Sequence, residues 1–219
     1  MNQHTDTGHS QCLIPRHLDH LRQSGLSDKT IRNAGIYSVT TPWVVSQLGF
    51  PHLVRNLPAI AFPLLLPNRK GASPNLNQVR LRPDRPRLDN NLRPVKYETK
   101  KDSGNRLYVP DLADSVLGDP AVALYFTEGE KKALKACQEG LPTIALAGVW
   151  SWLTKEGGES HPLADLDVIN LKGRHCYVVF DSDMVDKPEV HWAEYCFAKE
   201  LRRRWAEVFA IRLPGGEHV

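Results

Sequence analysis

Three carboxylates that close two apolar runs are the residues whose types and spacing best suit chemistry. Glu128 ends the run AVALYFTE at residues 121–128, and Asp181 and Asp183 end the run YVVFDSD at residues 177–183. Both runs are typical of buried strands. Because parallel strands of an α/β sheet present their carboxyl ends at one edge, we expect the three side chains to converge there. Carboxylate oxygens are the ligands that Mg²⁺ or Mn²⁺ prefers, so the pattern indicates phosphate chemistry.

Each half of this pattern also has a purely structural interpretation. A glutamate such as Glu128 is favoured at a helix N-terminus by the helix dipole, while Gly129 permits the close turn that brings backbone amides near a ligand. Asp181 and Asp183 flank a single residue, so in an extended chain both carboxylates point to the same side. Aspartates also end strands for purely local reasons. The two halves support each other because they would lie at the same edge of one sheet.

The segment between Gln78 and Arg106 is a second candidate, because of its charge. It carries nine basic residues against four acidic ones, a net charge of +5 in a chain whose total is +3. The basic residues are Arg80, Arg82, Arg85, Arg87, Arg93, Lys96, Lys100, Lys101 and Arg106. A basic segment beside a more acidic remainder is typical of a polyanion-binding surface. A solvated loop or hairpin face is the alternative that charge alone leaves open.

The N-terminal part must position this basic segment. Residues 1–11 are polar and without periodicity, so we expect a disordered tail. Three short helices are predicted between residues 13 and 49, the second capped by Ser27 and the third begun by Thr41 and Pro42. The runs AIAFPLLL and NQVRLRPD then predict a β-hairpin, and VKYET and RLYVP add short extended pieces. Residues 12–118 are therefore predicted to form a helical and basic β-rich subdomain.

The second half alternates strands with helices, which predicts a mostly parallel sheet with helices on both faces. The predicted strands are 122–127, 143–147, 175–180 and the run EVFAIRL, and the predicted helices are 129–139, one near 163–170, and one that begins at Pro188. The predicted fold class is thus α/β, with a small helical and β-rich subdomain before the parallel sheet.

Composition, hydropathy and cysteine spacing limit the classes of protein to which the chain can belong. A mean hydropathy of −0.39 and a charged content of 24% are those of an ordinary globular chain. No apolar run approaches the roughly 20 residues that span a bilayer, and the polar start lacks the apolar core of a signal peptide, so we expect a cytoplasmic protein without a membrane partner. The widely separated cysteines are expected to be reduced thiols. Cys12, His17 and His20 could supply three metal ligands, although no fourth is apparent.

The order strand, Glu-Gly, helix, strand, DxD resembles the TOPRIM domain shared by DnaG-type bacterial primases, topoisomerases and some nucleases. More specifically, FTEGEKKALKACQEGLPTIALAGVWSW and VVFDSD are similar to the TOPRIM-like segment of replication proteins from plasmids, phages and other mobile elements. Upstream, HLDHLRQSGLSDKTIRNAGIYS, the two hairpin runs and KYETKKDSGNRLYVP resemble what precedes TOPRIM in those primase-helicase proteins. The resemblance covers nearly the whole chain and implies a TOPRIM-like domain at residues 119–219.

The resemblance also implies roles for individual residues. Glu128 would be the first-motif glutamate, a catalytic residue in acid/base work or metal contact, and Asp181 and Asp183 would be the Mg²⁺ ligands of the second motif. Template or nucleotide binding is implied for Arg80, Arg82, Lys96, Arg106, Lys131 and Lys132. The implied function is Mg²⁺-dependent nucleotidyl transfer, in which short primers are made from nucleoside triphosphates on single-stranded DNA. The setting would be replication of a mobile element, with a replicative helicase in the same or another chain.

Three departures from the family pattern leave other functions open. Lys132 stands where DnaG-type primases commonly have an aspartate, a zinc-binding module is missing, and the chain stops at LPGGEHV where the family usually continues. We therefore expect a fragment of a longer protein or a reduced form. The alternatives are a non-catalytic DNA-binding or adaptor module of a replication complex and a TOPRIM-type nuclease. Trp150 and Trp152 could stack on a base, with core or rim packing as the alternative.

Overall fold

The computed structural model describes residues 12–65, 75–180 and 188–212. The predicted disordered tail, Asp181 and Asp183 lie outside these ranges. Within them the chain forms two four-stranded sheets and one two-stranded hairpin. Nowhere in these ranges is a helix both long enough and apolar enough to cross a bilayer.

The N-terminal helices agree with the sequence prediction. They are α1 (Pro15–Gln23), α2 (Asp28–Asn33) and α3 (Pro42–Gln47), followed by a 3-10 helix (Pro51–Asn56). Oγ of Ser27 accepts a hydrogen bond from the backbone N–H of Thr30 at 3.2 Å, as expected of an N-cap. Thr41 caps α3 in the same way.

The first sheet is antiparallel and contains the predicted hairpin. Its strands are β1 (Tyr37–Val39), β2 (Ala59–Leu64), β3 (Asn75–Pro83) and β4 (Glu98–Thr99), in the order β1-β2-β3-β4. In the predicted extended piece RLYVP, Tyr108 forms an isolated antiparallel bridge to Ala145, and the N–H of Val109 donates to the carbonyl oxygen of Leu65 at 2.7 Å, without a regular strand. The bridge to Ala145 lies where the chain passes from the first sheet to the second.

The second half contains the predicted alternation. Its elements are α4 (Asp111–Ser115), β5 (Leu124–Glu128), α5 (Glu130–Gln138), β6 (Thr143–Leu146), β7 (Leu153–Glu156), β8 (Glu159–Pro162), β9 (His175–Val179), α6 (Pro188–Arg203) and β10 (Glu207–Ala210). The helix predicted near residues 163–170 is a short 3-10 helix (Ala164–Val168), and the β7–β8 hairpin was not predicted.

The second sheet is parallel throughout, with strand order β10-β9-β5-β6. Phe126 of β5 packs edge-on against Phe197 of α6 with ring centroids 5.2 Å apart. Ala145 of β6, which is in register with Thr127, belongs instead to the apolar cluster that contains Leu134 of α5. Because neighbouring positions of a strand face opposite sides, α5 and α6 cover opposite faces of the sheet. The predicted α/β fold class, with helices on both faces of a parallel sheet, is confirmed.

The two halves share an apolar core. One buried cluster joins Leu21, Ile60 and Phe62 of the N-terminal part to Leu134 and Ala145 of the second half. The core of the parallel sheet also takes in buried side chains that precede the predicted boundary at residue 118, namely Leu107, Val109, Ala113 and Leu117. The boundary stays a prediction, and the packing around it is continuous.

Candidate active site

Glu128 is the last residue of β5, an interior strand of the parallel sheet. It is in register with Leu146 of β6, and the backbone N–H of Gly129 donates to the carbonyl oxygen of Leu146 at 2.9 Å. Gly129 adopts a φ of +89° before α5 begins at Glu130. This conformation is open to glycine and strained for other residues, so the turn that ends β5 depends on Gly129. Glu128 therefore lies at the carboxyl edge of the sheet, where the sequence predicted it.

Gly148 brings the segment after β6 close to this carboxylate. A Cβ atom built on Gly148 would lie 3.9 Å from Oε1 of Glu128 and 3.5 Å from Oγ of Ser151. The connections after β5 and after β6 consequently flank Glu128.

The metal ligands predicted from the sequence follow the strand next to β5. Strand β9 lies beside β5, with Val179 in register with Thr127, and Phe180 is buried. Asp181 and Asp183 follow in the sequence but lie outside the described residues. In the part of the chain that the structure does describe, no group of three or more His, Cys, Asp or Glu could hold a metal ion. The carboxylate of Glu128 suits Mg²⁺ chemically, and the complete site stays a prediction.

Arg80, predicted to bind nucleic acid, connects the first sheet to both segments that flank Glu128. Its Nη1 donates to Oε1 of Glu130 at 2.8 Å, and its Nη2 donates to the carbonyl oxygen of Ala147 at 2.9 Å. The guanidinium carbon also lies 4.8 Å from the ring centroid of Tyr97, in cation–π range. Arg80 therefore has a structural role that the charge pattern did not reveal.

Arg106 has a similar joining role. Its Nε and Nη2 donate to the two carboxylate oxygens of Asp165 at 2.9 and 2.7 Å. The backbone N–H of Leu107 donates to Asp165 as well, at 2.9 Å. Such a two-pronged pair fixes both partners. Nucleic-acid binding by Arg106, as by Arg80, stays a prediction.

Four of the predicted basic residues lie together, and we call Arg82, Lys96, Lys131 and Lys132 the basic cluster. Burial lowers the pKa of Lys131 from its usual value, and the positive charges of Arg82, Lys132 and Lys96 lower it further. Like charges this close repel one another, and a bound polyanion would relieve that repulsion. Lys131 and Lys132 lie in the first turn of α5, which begins at Glu130 directly after Glu128 and Gly129. The basic cluster thus adjoins the carboxyl edge of the sheet.

The residues that support Lys131 were not predicted from the sequence. Its Nζ donates to Oγ of Ser24 at 2.9 Å and lies 3.2 Å from Nε2 of His20. Burial lowers the pKa of His20 most, and with the charges of Lys131 and Arg82 it brings that pKa to about 4. His20 is therefore neutral near pH 7 and accepts the hydrogen bond. These contacts span the two halves of the chain, so no local pattern signals them.

The alternative metal site at Cys12, His17 and His20 is not supported. The ring of His17 is occupied by Oγ of Ser38 at 2.7 Å and by Oδ1 of Asp84 at 3.0 Å. Because His20 contacts Lys131 instead, the three residues form no ligand group among the residues that the structure describes.

The fold consists of a helical and antiparallel β-rich part followed by a parallel α/β sheet, with Glu128 at the carboxyl edge of that sheet. The family model described as "Domain of unknown function (DUF3854)" matches residues 113–218. A search of the curated proteins found no match.

Solved structures of bacterial primases share the fold. The chain is similar to the zinc-binding and RNA polymerase domains of the Aquifex aeolicus primase, with a TM-score of 0.59, 14% identity, and coverage of 93% of this chain and 51% of that one. For the DnaG primase catalytic domain bound to single-stranded DNA, the TM-score is 0.60 and the identity 16%, and the match covers 93% of this chain and 65% of that one. For the E. coli primase catalytic core, the TM-score is 0.54 and the identity 16%, and the match covers 92% of this chain and 66% of that one.

The fold is therefore that of the DnaG primase catalytic core. This confirms, at the level of the fold, the resemblance to DnaG-type primases. The chain spans between about half and two thirds of the length of these structures.

Proposed function

We propose that the chain is a primase-like nucleotidyltransferase, which uses Mg²⁺ or Mn²⁺ to make short primers from nucleoside triphosphates on single-stranded DNA. The observation that carries this proposal is the position of Glu128. It ends an interior strand of a primase-core fold, and the basic cluster begins within the next turn of α5. A carboxylate followed within a few residues of the chain by grouped cations suits a reaction that moves a proton at a phosphorylated substrate.

The proposed division of labour follows from residue chemistry. The basic cluster would hold the phosphates of the nucleotide or template, and Glu128 would accept the proton from the primer 3′-hydroxyl. The 3′-oxygen would then bond to the α-phosphorus as the bond to pyrophosphate breaks. Asp181 and Asp183, with Glu128, would hold the metal ion, which when bound neutralises triphosphate charge and stabilises the leaving pyrophosphate.

The biological setting is part of the same proposal. The sequence resemblance supports replication of a plasmid, phage or other mobile element. A replicative helicase, in the same or another chain, would supply the unwound template. Recruitment of a helicase by this chain is testable by co-purification with the helicase encoded on the same element.

Incorporation of labelled ribonucleotides on a single-stranded template tests the chemistry. Glu128→Gln and Asp181→Asn are each expected to abolish incorporation while the circular dichroism spectrum stays unchanged. Glu159→Gln is a matched control, because Glu159 is an exposed glutamate on β8. Unchanged synthesis in both Glu128→Gln and Asp181→Asn would count against a catalytic role.

A non-catalytic DNA-binding or adaptor module is the second candidate, and Lys132 favours it. A lysine in the first turn of α5, within the basic cluster, disfavours a cation there by charge repulsion. This candidate predicts salt-sensitive binding of single strands that survives chelation of Mg²⁺ and Glu128→Gln but weakens in Arg82→Gln. Incubation of labelled DNA with Mg²⁺ or Mn²⁺, with and without nucleotides, also detects the nuclease alternative, since only a nuclease would shorten the DNA.

A further inference from the structure

A cleft of about 1100 Å³ lies between the basic segment and the β7–β8 hairpin. One wall is formed by residues 99–105, from the last residue of β4 into the loop that follows, and the other is strand β7 with its turn. Nδ2 of Asn105 donates to the carbonyl oxygen of Leu153 at 2.8 Å, which ties the two walls together. The cleft is therefore built from both halves of the chain and is held at a fixed width at that point.

Trp150 gives the cleft a fixed aromatic surface. Its side chain is 40% exposed and lines the cleft, whereas Trp152 is 6% exposed and belongs to the core of the parallel sheet. The rings of Trp150 and Trp152 are stacked at 27° with centroids 6.4 Å apart, and Trp152 packs in turn against Phe197. An exposed indole supported from below by the core suits stacking of a nucleobase, which needs a rigid π-face and no particular base.

The charges in the cleft indicate how a strand would be held. Lys100 and Lys155 line it from opposite walls, and Asp102 and Glu156 offset their charge. A lining of balanced charge binds few phosphates, so stacking and hydrogen bonds must provide most of the affinity. This separates the cleft from the basic cluster, where cations predominate.

The segment that contains Trp150 also flanks Glu128. Trp150 follows Gly148 by two residues, and Gly148 lies against the carboxylate of Glu128. A base stacked on Trp150 would therefore lie on the segment that flanks the carboxyl edge of the parallel sheet.

We infer that this cleft binds a single-stranded nucleic acid, with one base stacked on Trp150 and phosphates near Lys100 and Lys155. The inference rests on the proposed function in one respect, since the strand bound there would be the template. Binding itself requires neither a metal ion nor turnover, so it can be tested apart from synthesis.

Fluorescence anisotropy of a labelled oligo-dT strand, measured in the presence of a chelator, tests the inference. Trp150→Ala is expected to raise the Kd about tenfold, the loss of one base–aromatic stack, and Trp150→Phe should retain much of the affinity. Trp192→Ala is the matched control, because Trp192 is 58% exposed on α6, far along the chain from the cleft. Lys155→Gln should make the negative slope of log K against log salt shallower by about 0.7.

Photocrosslinking of 5-iodo-dU oligonucleotides provides an independent measurement. A crosslink mapped to Trp150, with weaker binding by Trp150→Ala but not Trp192→Ala, supports the inference. Wild-type affinity in both Trp150 variants overturns it, even if primer synthesis is observed. Trp150-dependent binding without synthesis counts against nucleotidyl transfer and leaves the cleft assignment intact. If the wild-type chain binds no oligo-dT, both the cleft assignment and the proposed primase-like function are overturned.

Discussion

Nη1 of Arg80 lies 2.8 Å from Oε1 of Glu130, so a buried ion pair joins strand β3 of the antiparallel sheet to the first turn of α5. The same guanidinium holds the carbonyl oxygen of Ala147 after β6. Arg80 thereby fixes both segments that flank Glu128. Within the described residues, Nε of Arg80 and Oε2 of Glu130 are buried and make no hydrogen bond. Arg80 is thus a positioning residue whose loss leaves a buried charge.

Arg80→Met is expected to lower the free energy of unfolding by about 3–5 kcal/mol, because Glu130 becomes a buried, unpaired carboxylate. Urea denaturation followed by circular dichroism measures the change. The control is Arg22→Gln, which breaks an exposed pair with Asp28 and should leave the midpoint unchanged.

The double variant Arg80→Met with Glu130→Leu separates the loss of the ion pair from the cost of leaving the Glu130 carboxylate buried and unpaired. It should regain much of the stability, since apolar residues can replace a buried ion pair at little cost. A double variant no more stable than Arg80→Met alone would contradict this account.

Sequence reasoning succeeded where the determinant is local. The caps at Ser27 and Thr41 and the position of Glu128 each depend on a few neighbouring residues, and all agree with the structure. The structural roles of Arg80 and Arg106 were missed because their partners, Glu130 and Asp165, lie 50 and 59 residues away. Charge counting identifies a basic segment but cannot tell which cations are already paired.

The β7–β8 hairpin shows a different limit. Its strands, LTKE and ESHP, are mostly polar and short, so hydrophobic alternation gives no signal. The available signal was the pair Gly157 and Gly158, whose φ values of +60° and +89° suit the turn of a two-residue hairpin. That dipeptide could have identified one wall of the cleft from the sequence alone.

The neutral state of His20 makes stability depend on pH. Burial and the charges of Lys131 and Arg82 lower its pKa to about 4 in the folded chain, from 6.5 when unfolded. Between these values the unfolded chain binds a proton that the folded chain does not, so the free energy of unfolding decreases as the pH falls from 6.5 to about 4. His20→Gln, which keeps an acceptor for Lys131, should flatten this dependence.

Urea denaturation at several pH values between about 7 and 4 measures the effect. His161→Gln is the control, because His161 is half exposed and its ion-pair partner, Glu159, is also exposed. Parallel pH curves for the wild type and His20→Gln would show that His20 is protonated as readily in the folded chain as in the unfolded one.

Salt dependence distinguishes the basic cluster from the arginines that join the two halves. Lys96→Gln and Lys132→Gln should each weaken binding of oligo-dT. Each should also make the negative slope of log K against log salt shallower by about 0.7, if the lysine neutralises one phosphate. Arg106→Gln should lower stability, because Asp165 loses both hydrogen bonds from the guanidinium, and it should change the slope only if Arg106 also contacts a phosphate.

Lys199→Gln is the control for the loss of a lysine, since Lys199 is exposed on α6. Anisotropy titrations at several salt concentrations give the slopes. An unchanged slope in both cluster variants would mean that the strand does not contact these lysines.

The turn at Gly129 permits a test that changes no charge. Gly129→Ala forces a φ of +89° on a residue with a side chain, which should cost about 1–3 kcal/mol of unfolding free energy. A Cβ atom there would meet no other atom within 4 Å, so the cost would be conformational rather than steric. Gly118→Ala is the matched control, because its Cβ atom would also meet nothing within 4 Å and its backbone is not in the left-handed region. Urea denaturation should thus find Gly118→Ala near wild type and Gly129→Ala destabilised. Equal stability of the two variants would mean that the β5–α5 turn does not need glycine, and that the orientation of Glu128 is fixed by other contacts.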